Sequence, residues 1–470
     1  MALTLYNTLT RSVSDFEPIA SGEVSIYLCG ATVQSSPHIG HIRSAINFDL
    51  LRRWLEQGHG YRVTFVRNVT DIDDKILANA VKEDMHWWAL AMKYEREFNS
   101  AYAAVNCIPP TYGPRATGHI TQMIEMMQRL IDRGHAYAPG NGDVYLEVRS
   151  LEKYLSLSGQ KLDDLQPASD SDQPSELKIK KDPRDFALWK SAKPGEPSWP
   201  TPWGAGRPGW HLECSAMAHQ YLGETFDIHC GGLDLIFPHH ENEIAQSNAA
   251  GYGFAKRWLH NAWVTTSGEK MSKSLGNSLR VHEILKDTRA VELRWYLLSA
   301  HYRSMLEYSP TYLQEAATGY RRIENFLQRA EELVGITANT STFPETFRAA
   351  LDDDLGISQA LAVLADTVRL GNSAIATGDQ EKVRQTMNEV RSMLNVLGCD
   401  PLEGPWQTNQ QNLNGVVDAL VGVVLEQRNS ARARKDYQAA DEIRDGLAAA
   451  GIHLEDAAGN TRWSLKRGSE

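Results

Sequence analysis

Two short strings, Pro37-His38-Ile39-Gly40-His41 and Lys270-Met271-Ser272-Lys273-Ser274, hold residue types suited to gripping phosphate from two sides. In the first, His38 and His41 offer ring nitrogens that hydrogen-bond phosphate oxygens without a fixed full charge, and Gly40 lets a flat ligand approach the backbone. In the second, Lys270 and Lys273 are spaced by small residues and followed by Gly276, a composition for a cationic loop that closes over charge developing in phosphoryl or nucleotidyl transfer. Either string alone reads more simply as a polar turn; together, in this order, they point to ATP. A third set is scattered: Cys29, Cys214, His239 and Glu243 supply two thiolates, an imidazole and a carboxylate, donors that suit a divalent zinc ion. His239 and Glu243 share a helix face at i, i+4. Rivals stand nearby at His229, Cys230 and His240, so spacing alone leaves the ligand set open.

The elements that must position these groups can be read around them. An apolar run over 24–28 is followed by Ile42, Ile46, Leu50 and Trp54 at helical spacing, and Gly58 and Gly60 end that helix. Alternation over 61–66 then gives a second strand, so the unit is βαβ. Its turn points backbone N–H groups outward at a helix N-terminus, where the dipole favours an anion. Cys29 ends the first strand, Cys214 lies where another helix begins at Trp210, and Pro238 fits a first helical turn. Gly140-Asn141-Gly142-Asp143 predicts a turn leading into a strand over 144–148, inside an insertion. Polar 163–176 and Pro/Gly-rich 193–209 read as connections, and 262–265 as the strand that closes the sheet before the lysine loop. Beyond Gly276 the pattern is helical over 312–333, 358–375, 381–397 and 413–433, with a break at 336–344.

The expected fold is therefore α/β: a Rossmann-like parallel-sheet domain with an insertion, followed by a helical C-terminal region. The expected division is 1–120 and 206–276 for the two halves of the sheet domain, 121–205 for the insertion, 277–335 for a helical contact region and 336–470 for a helical domain.

Five cysteines, an odd number without compact spacing, argue against a disulfide framework. The formal charge of −11 opposes wholesale nucleic-acid binding, but Arg428, Arg432, Arg434 and Lys435 cluster locally. Farther on, Arg462, Lys466 and Arg467 flank Trp463, giving cations and a stacking surface suited to single-stranded RNA. The plainer alternative is a solvated helix face paired with Asp441, Glu442 and Asp445. No segment is apolar for long enough to span a membrane, and the N-terminus has neither a basic start nor a cleavable apolar run, so a cytoplasmic location is expected.

On residues 38–41 and 270–274 the chain resembles the class I aminoacyl-tRNA synthetases, whose paired signature motifs match both strings. Cys29-Gly30, Gly209-Trp210-His211-Leu212-Glu213-Cys214-Ser215-Ala216-Met217 and the run 226–243 narrow the resemblance to the cysteinyl-tRNA synthetase family. That resemblance implies an active-site zinc, one per chain, on Cys29, Cys214, His239 and Glu243, and ATP, with magnesium, on His38, Gly40, His41, Lys270 and Lys273. It places Thr70, within Asn68-Val69-Thr70-Asp71-Ile72-Asp73-Asp74-Lys75, and Trp210 beside bound L-cysteine. It implies a monomer whose helical C-terminal region takes the anticodon side of tRNA(Cys). The family's motif departs at Ala31-Thr32-Val33-Gln34-Ser35-Ser36, which leaves contacts at 34–36 unassigned, and Cys230 stands where glycine is usual and reads as a bystander thiol. Lys181-Asp182-Pro183-Arg184-Asp185-Phe186-Ala187-Leu188-Trp189-Lys190 also resembles a family segment. Two rival readings stand beside this one: a mycothiol-pathway ligase joining cysteine to a glucosaminyl-inositol amine, and a non-catalytic RNA-binding relative.

Overall fold

A computed structural model describes the chain except residues 1, 168–177, 267–268, 271–278, 337–341, 407, 458–459 and 466–470. It forms two compact units, Met1–Asp400 and Pro401–Glu470.

The first unit is built on strands β1 (Glu23–Leu28), β2 (Arg62–Arg67), β3 (Phe226–Gly232) and β4 (Ala255–Asn261). All pair in parallel, in the order β4-β3-β1-β2. Helix α1 (Ile39–Arg53) crosses from β1 to β2, and the chain later resumes on the other side of β1 as β3. The strand order therefore reverses between β1 and β3, and a crevice opens at their carboxyl ends, the place where open α/β sheets bind ligands.

Register decides which side chains reach which face. Tyr27 pairs with Val66 and His229, whereas Leu28 pairs with Arg67 and Cys230. Successive side chains alternate across a strand, so these trios face opposite ways. Tyr27 and Val66 join a core with Leu212, Cys214 and Met217 of helix α2 (Trp210–Leu222) and Ile244 of α3 (Glu241–Ala249). Leu28 and Arg67 instead face the side of α1, where they line a cavity with His41, Ser44 and Ala45.

Fully buried Arg43 of α1 fixes that helix to the far end of the sheet. It donates to the carbonyls of Ala262, Trp263, His301 and Ser304 at 2.9, 2.7, 3.2 and 2.6 Å. The guanidinium thus satisfies acceptors that irregular backbone would otherwise bury unpaired.

The sheet closes earlier than the sequence predicts. The edge strand is β4, not 262–265, because Lys256 and Arg257 mask its apolar character. Val264–Thr266 belongs to a separate small sheet with Glu269–Lys270 and Leu306–Glu307. The insertion carries an antiparallel sheet of Ala136–Tyr137, Val144–Leu146, Phe186–Ser191 and Gly206–Pro208, joined to the catalytic side where Lys190 and Arg207 pair with Asp74. Within the segment 181–190, Asp185 accepts from the Val148 N–H at 2.9 Å and the Tyr137 hydroxyl at 2.8 Å, so this string folds the insertion.

Helix Pro310–Val334 starts on Ser309, whose hydroxyl accepts from the Tyr312 N–H. Helices Glu345–Asp352, Ile357–Thr377 and Gln380–Val396 belong to the first unit, so the expected 336–470 region is shared between two units. The second unit holds Thr408–Ala433, Tyr437–Ala449 and a hairpin, Ile452–Ala457 with Asn460–Leu465, which the reading of 336–470 as a helical domain does not include.

Candidate active site and metal centre

The first signature string forms the N-terminus of α1. His38 is its N-cap, with the Gly40 N–H donating to His38 Nδ1 and the His38 N–H donating to His41 Nδ1, both at 3.2 Å. The two rings stack with centroids 3.7 Å apart. The turn thus orients both imidazoles at a helix end that attracts anions. Lys270 ends a short strand whose partner is Thr265, and Lys273 lies outside the described residues. Beyond the loop, the Ile39 N–H donates to the Leu279 carbonyl at 3.0 Å and the Val281 N–H to the Pro37 carbonyl at 3.1 Å. Backbone bonds therefore tie the residues after the second string directly to the first.

The four expected metal ligands converge from the end of β1, from α2, and from α3 with the turn before it. Cys29, Cys214, His239 and Glu243 place their donor atoms within 4.8 Å of one another. Cys29 Sγ lies 3.7 Å from Cys214 Sγ and 3.2 Å from Glu243 Oε1, and His239 Nε2 lies 3.0 Å from Glu243 Oε1. A tetrahedral zinc ion with bonds of about 2.0–2.3 Å separates its donors by about 3.3–3.8 Å, so these edges and this donor set fit the ion. α3 begins at Glu241, two residues later than the i, i+4 reading implies, yet His239 keeps its contact from the preceding turn.

Supporting partners surround this set. His211 Nδ1 is 3.0 Å from His239 Nδ1, and His229 Nε2 is 2.8 Å from the second oxygen of Glu243. Such outer contacts fix ring and carboxylate orientation. Burial pushes the Cys214 thiol up, but the Cys29 sulfur and the His239 imidazole pull it down further, to about 6. Burial alone would lower His239; Glu243 and Cys214 raise it to about 10. Glu243 is held well below the carboxylate range, its burial outweighed by His229 and His239.

A second combination, Cys29, His229, His240 and Glu243, also falls within 4.8 Å. It has one sulfur fewer, and one of its imidazoles is engaged outside the set, His240 Nδ1 meeting His260 Nε2 at 2.8 Å. Cys230, fully buried and pushed up by that burial, faces the α1 side with Leu28, away from His229.

A cavity of about 730 Å³ runs from Cys29 of the candidate metal cluster to the histidine turn, with Gly30, His38, Gly40, His41 and Trp210 also on its walls. Trp210 stacks on His239 with centroids 4.2 Å apart, which sets its ring against the candidate metal cluster. Thr70 is buried behind that wall, and its hydroxyl donates to Glu213 Oε2 at 2.9 Å. Burial and the neighbouring Cys214 push the Glu213 carboxyl well up. Gln34 reaches the cavity too, and its carbonyl accepts from Asn79 at 3.0 Å.

Spacing gave no notice of His211, Glu213 or Asn68, and it offered His229 only as a rival ligand, not as the partner of Glu243. A weak signal existed for His211, which precedes Cys214 by one helical turn. Asn68 accepts from the Gly30 N–H at 2.8 Å, and a Cβ at Gly30 would run into the Asn68 carbonyl. Gly30→Ala is therefore expected to lower unfolding free energy by about 3 kcal/mol, as overpacking does, and to weaken metal retention by displacing Cys29. Urea denaturation and metal content after dialysis check both effects.

In the second unit Arg432, Arg434 and Lys435 are exposed beside Tyr437, and Trp463 is half-buried on the hairpin. Arg428 is 5 % exposed and does not share that surface, because its helix turns it inward one turn before Arg432.

The family model for the class I (C) tRNA synthetase catalytic domain matches residues 15–318, and that for the DALR domain matches residues 346–399. The chain is 58 % identical over 469 residues to a cysteine–tRNA ligase of Streptomyces coelicolor, covering 99 % of this chain and 76 % of that protein. It is 57 % identical over 470 residues to the cysteine–tRNA ligase of Streptomyces avermitilis, covering 99 % of each. The enzyme of that name from Beutenbergia cavernae is 54 % identical over 478 residues, covering 99 % of this chain and 100 % of that one. Among solved structures, methionyl-tRNA synthetase of Mycobacterium tuberculosis in complex with methionyl-adenylate superposes with a TM-score of 0.59 at 16 % identity, covering 81 % of this chain and 90 % of that chain. A putative arginyl-tRNA synthetase of Campylobacter jejuni gives 0.53 at 13 % identity, covering 80 % and 93 %. These two share the fold. By its matched domains and its near full-length identity, the chain belongs to the cysteine–tRNA ligase family of class I tRNA synthetases.

Proposed function

We propose that this protein activates L-cysteine with ATP and transfers it to the 3′-terminal adenosine of tRNA(Cys). The observation that carries the reading is the joining of a Cys/Cys/His/Glu cluster to a histidine-bearing phosphate turn by one cavity at the sheet's switch point.

The α1 N-terminus, with His38, Gly40 and His41, holds the ATP phosphates, and Lys270 and Lys273 are assigned to the charge that develops on them. The cysteine carboxylate then attacks the α-phosphorus, giving cysteinyl adenylate and pyrophosphate. The adenosine hydroxyl of the tRNA attacks the adenylate carbonyl in turn. Cys29, Cys214, His239 and Glu243 would hold zinc, which when bound supplies a soft partner for a thiol that a hydroxyl cannot match. Trp210 packs over these ligands and narrows the pocket; Glu213 fixes Thr70 in the layer behind.

Cysteine and serine have nearly the same shape, so packing alone would separate them by about 10²-fold, whereas a site built to bond the thiol reaches about 10⁴-fold. The exposed Arg432, Arg434 and Lys435 with Trp463 are assigned to the RNA. Five unpaired cysteines suit a reducing cytoplasm. Among the described residues no helix is long and apolar enough to cross a membrane.

The test is ATP–pyrophosphate exchange across a panel of amino acids. Exchange with cysteine alone, and serine at least about 10⁴-fold worse, is the expected outcome. Exchange with neither would leave the non-catalytic RNA-binding reading.

A further inference from the structure

Arg67 ends β2 with its guanidinium inside the active-site cavity and only 9 % of its surface exposed. It forms no side-chain hydrogen bond and no ion pair among the described residues; its one close partner is the Tyr102 ring, whose centroid lies 3.9 Å from Cζ. A nearly buried cation without a counterion is costly, and a ring face offsets that cost only in part. Arg67 is thus presented for an anion that arrives with the substrates.

Register indicates which anion. Arg67 pairs with Leu28, and both share the cavity with His41 and Ser44 on the α1 side of the sheet. The metal ligands are reached from the other face, where Tyr27 and His229 point. Arg67 therefore belongs with the phosphate turn. Lys75 is the second Lys or Arg on the cavity wall; its neighbour Asp74 is engaged by Lys190 and Arg207, and Lys75 makes no ion pair among the described residues.

We infer that Arg67, seconded by Lys75, binds the β- and γ-phosphates of ATP and stabilises pyrophosphate as it departs. In that step a cysteine carboxylate oxygen forms a bond to the α-phosphorus, and the bond from that phosphorus to the bridging oxygen breaks. The electron pair stays on the bridging oxygen, which leaves as part of pyrophosphate, and no proton need move. The added charge falls on the group that Arg67 and Lys75 face, and fixed cations there favour the transition state over the ground state.

The inference rests on the proposed cysteine activation, so wild-type exchange is measured first; its absence would sink that reading rather than this one. Arg67→Met keeps the aliphatic stem on Tyr102 and removes the charge. It is expected to slow exchange by about 10²-fold and raise the KM for inorganic pyrophosphate at least about tenfold, with the KM for cysteine within about twofold. Arg67→Lys should recover part of the loss. Exposed Lys75→Ala should show the same pattern at about tenfold, and it decides the matter if Arg67→Met fails to fold. A raised KM for cysteine with an unchanged KM for pyrophosphate would move Arg67 to the amino-acid carboxylate and overturn the inference. Wild-type kinetics in folded Arg67→Met, or in Lys75→Ala where Arg67→Met does not fold, would overturn it as well.

Discussion

Cys214→Ser is expected to cut cysteine-dependent exchange by at least about 10²-fold while the KM for ATP stays within about twofold. Zinc held by four protein ligands is worth about 10–16 kcal/mol, so losing one soft ligand costs about 3 kcal/mol, which converts to about 10²-fold. Cys214 is buried on α2, 3.7 Å from Cys29 Sγ, and its sulfur is drawn to about 6 by its neighbours, so the native donor is a thiolate. A serine hydroxyl at this position is a hard, protonated donor. The phosphate turn with His38, Gly40 and His41 stands at the N-terminus of α1 and takes none of its hydrogen bonds from Cys214, so it should not register the change. Metal content by atomic emission and exchange kinetics read the two effects separately. Equal loss of cysteine and ATP binding would contradict the division of labour between the two faces.

The second large effect concerns stability. Arg294 is fully buried and donates to Asp49 Oδ2 and to the Leu397 carbonyl at 2.6 Å each, to the Val105 carbonyl at 2.9 Å and to the Asn106 carbonyl at 3.1 Å. Asp49 in turn accepts from Arg53 at 2.8 Å and from the Ile108 N–H at 2.7 Å. One guanidinium therefore joins α1, the 105–108 loop and the end of helix Gln380–Val396. A residue larger than glycine at 398 would clash with it, since a Cβ there comes 2.5 Å from Arg294 Cζ. Arg294→Met is expected to cost about 3–5 kcal/mol, because it strips a buried carboxylate of one partner and leaves carbonyls without donors.

The effect should depend on pH in a definite direction. Burial raises the Asp49 carboxyl, but Arg294 and Arg53 lower it further, so its folded value lies below the unfolded one. A depressed carboxylate contributes stability above the unfolded value of about 3.9 and loses it as pH falls through the folded value. Wild type and Arg294→Met should therefore differ fully at neutral pH, and the part of the difference that comes from Asp49 should shrink as pH falls below about 4 toward the folded value. Urea titrations at pH 7 and pH 3.5 would show it, and a difference under about 1 kcal/mol at pH 7 would refute the role given to Arg294.

What the sequence disclosed is what local pattern encodes. The βαβ unit was legible because Ile42, Ile46, Leu50 and Trp54 recur at helical spacing between two strand patterns and glycines follow them. The four candidate metal ligands were legible as a donor set, and each flanks or lies in an element that the pattern located; their convergence within 4.8 Å depends on strand order, which no local signal carries. That is also why His229 stayed a rival: only register shows it bonded to Glu243 as a support. Thr70 was assigned by resemblance, and the fold directs its hydroxyl to Glu213, a pairing across 143 positions that spacing cannot reveal. Arg67 resembled an ordinary strand end until the Tyr102 ring and the cavity gave it surroundings. The closing strand was displaced for a simpler reason, the charged Lys256 and Arg257 within β4.

The most direct test is charging of purified tRNA(Cys) by the zinc-loaded protein with labelled cysteine and ATP, run beside a glucosaminyl-inositol acceptor. Label on the tRNA and none on the sugar amine is the predicted result. Label on the sugar amine alone would contradict the account and place the chemistry with the small-molecule ligases.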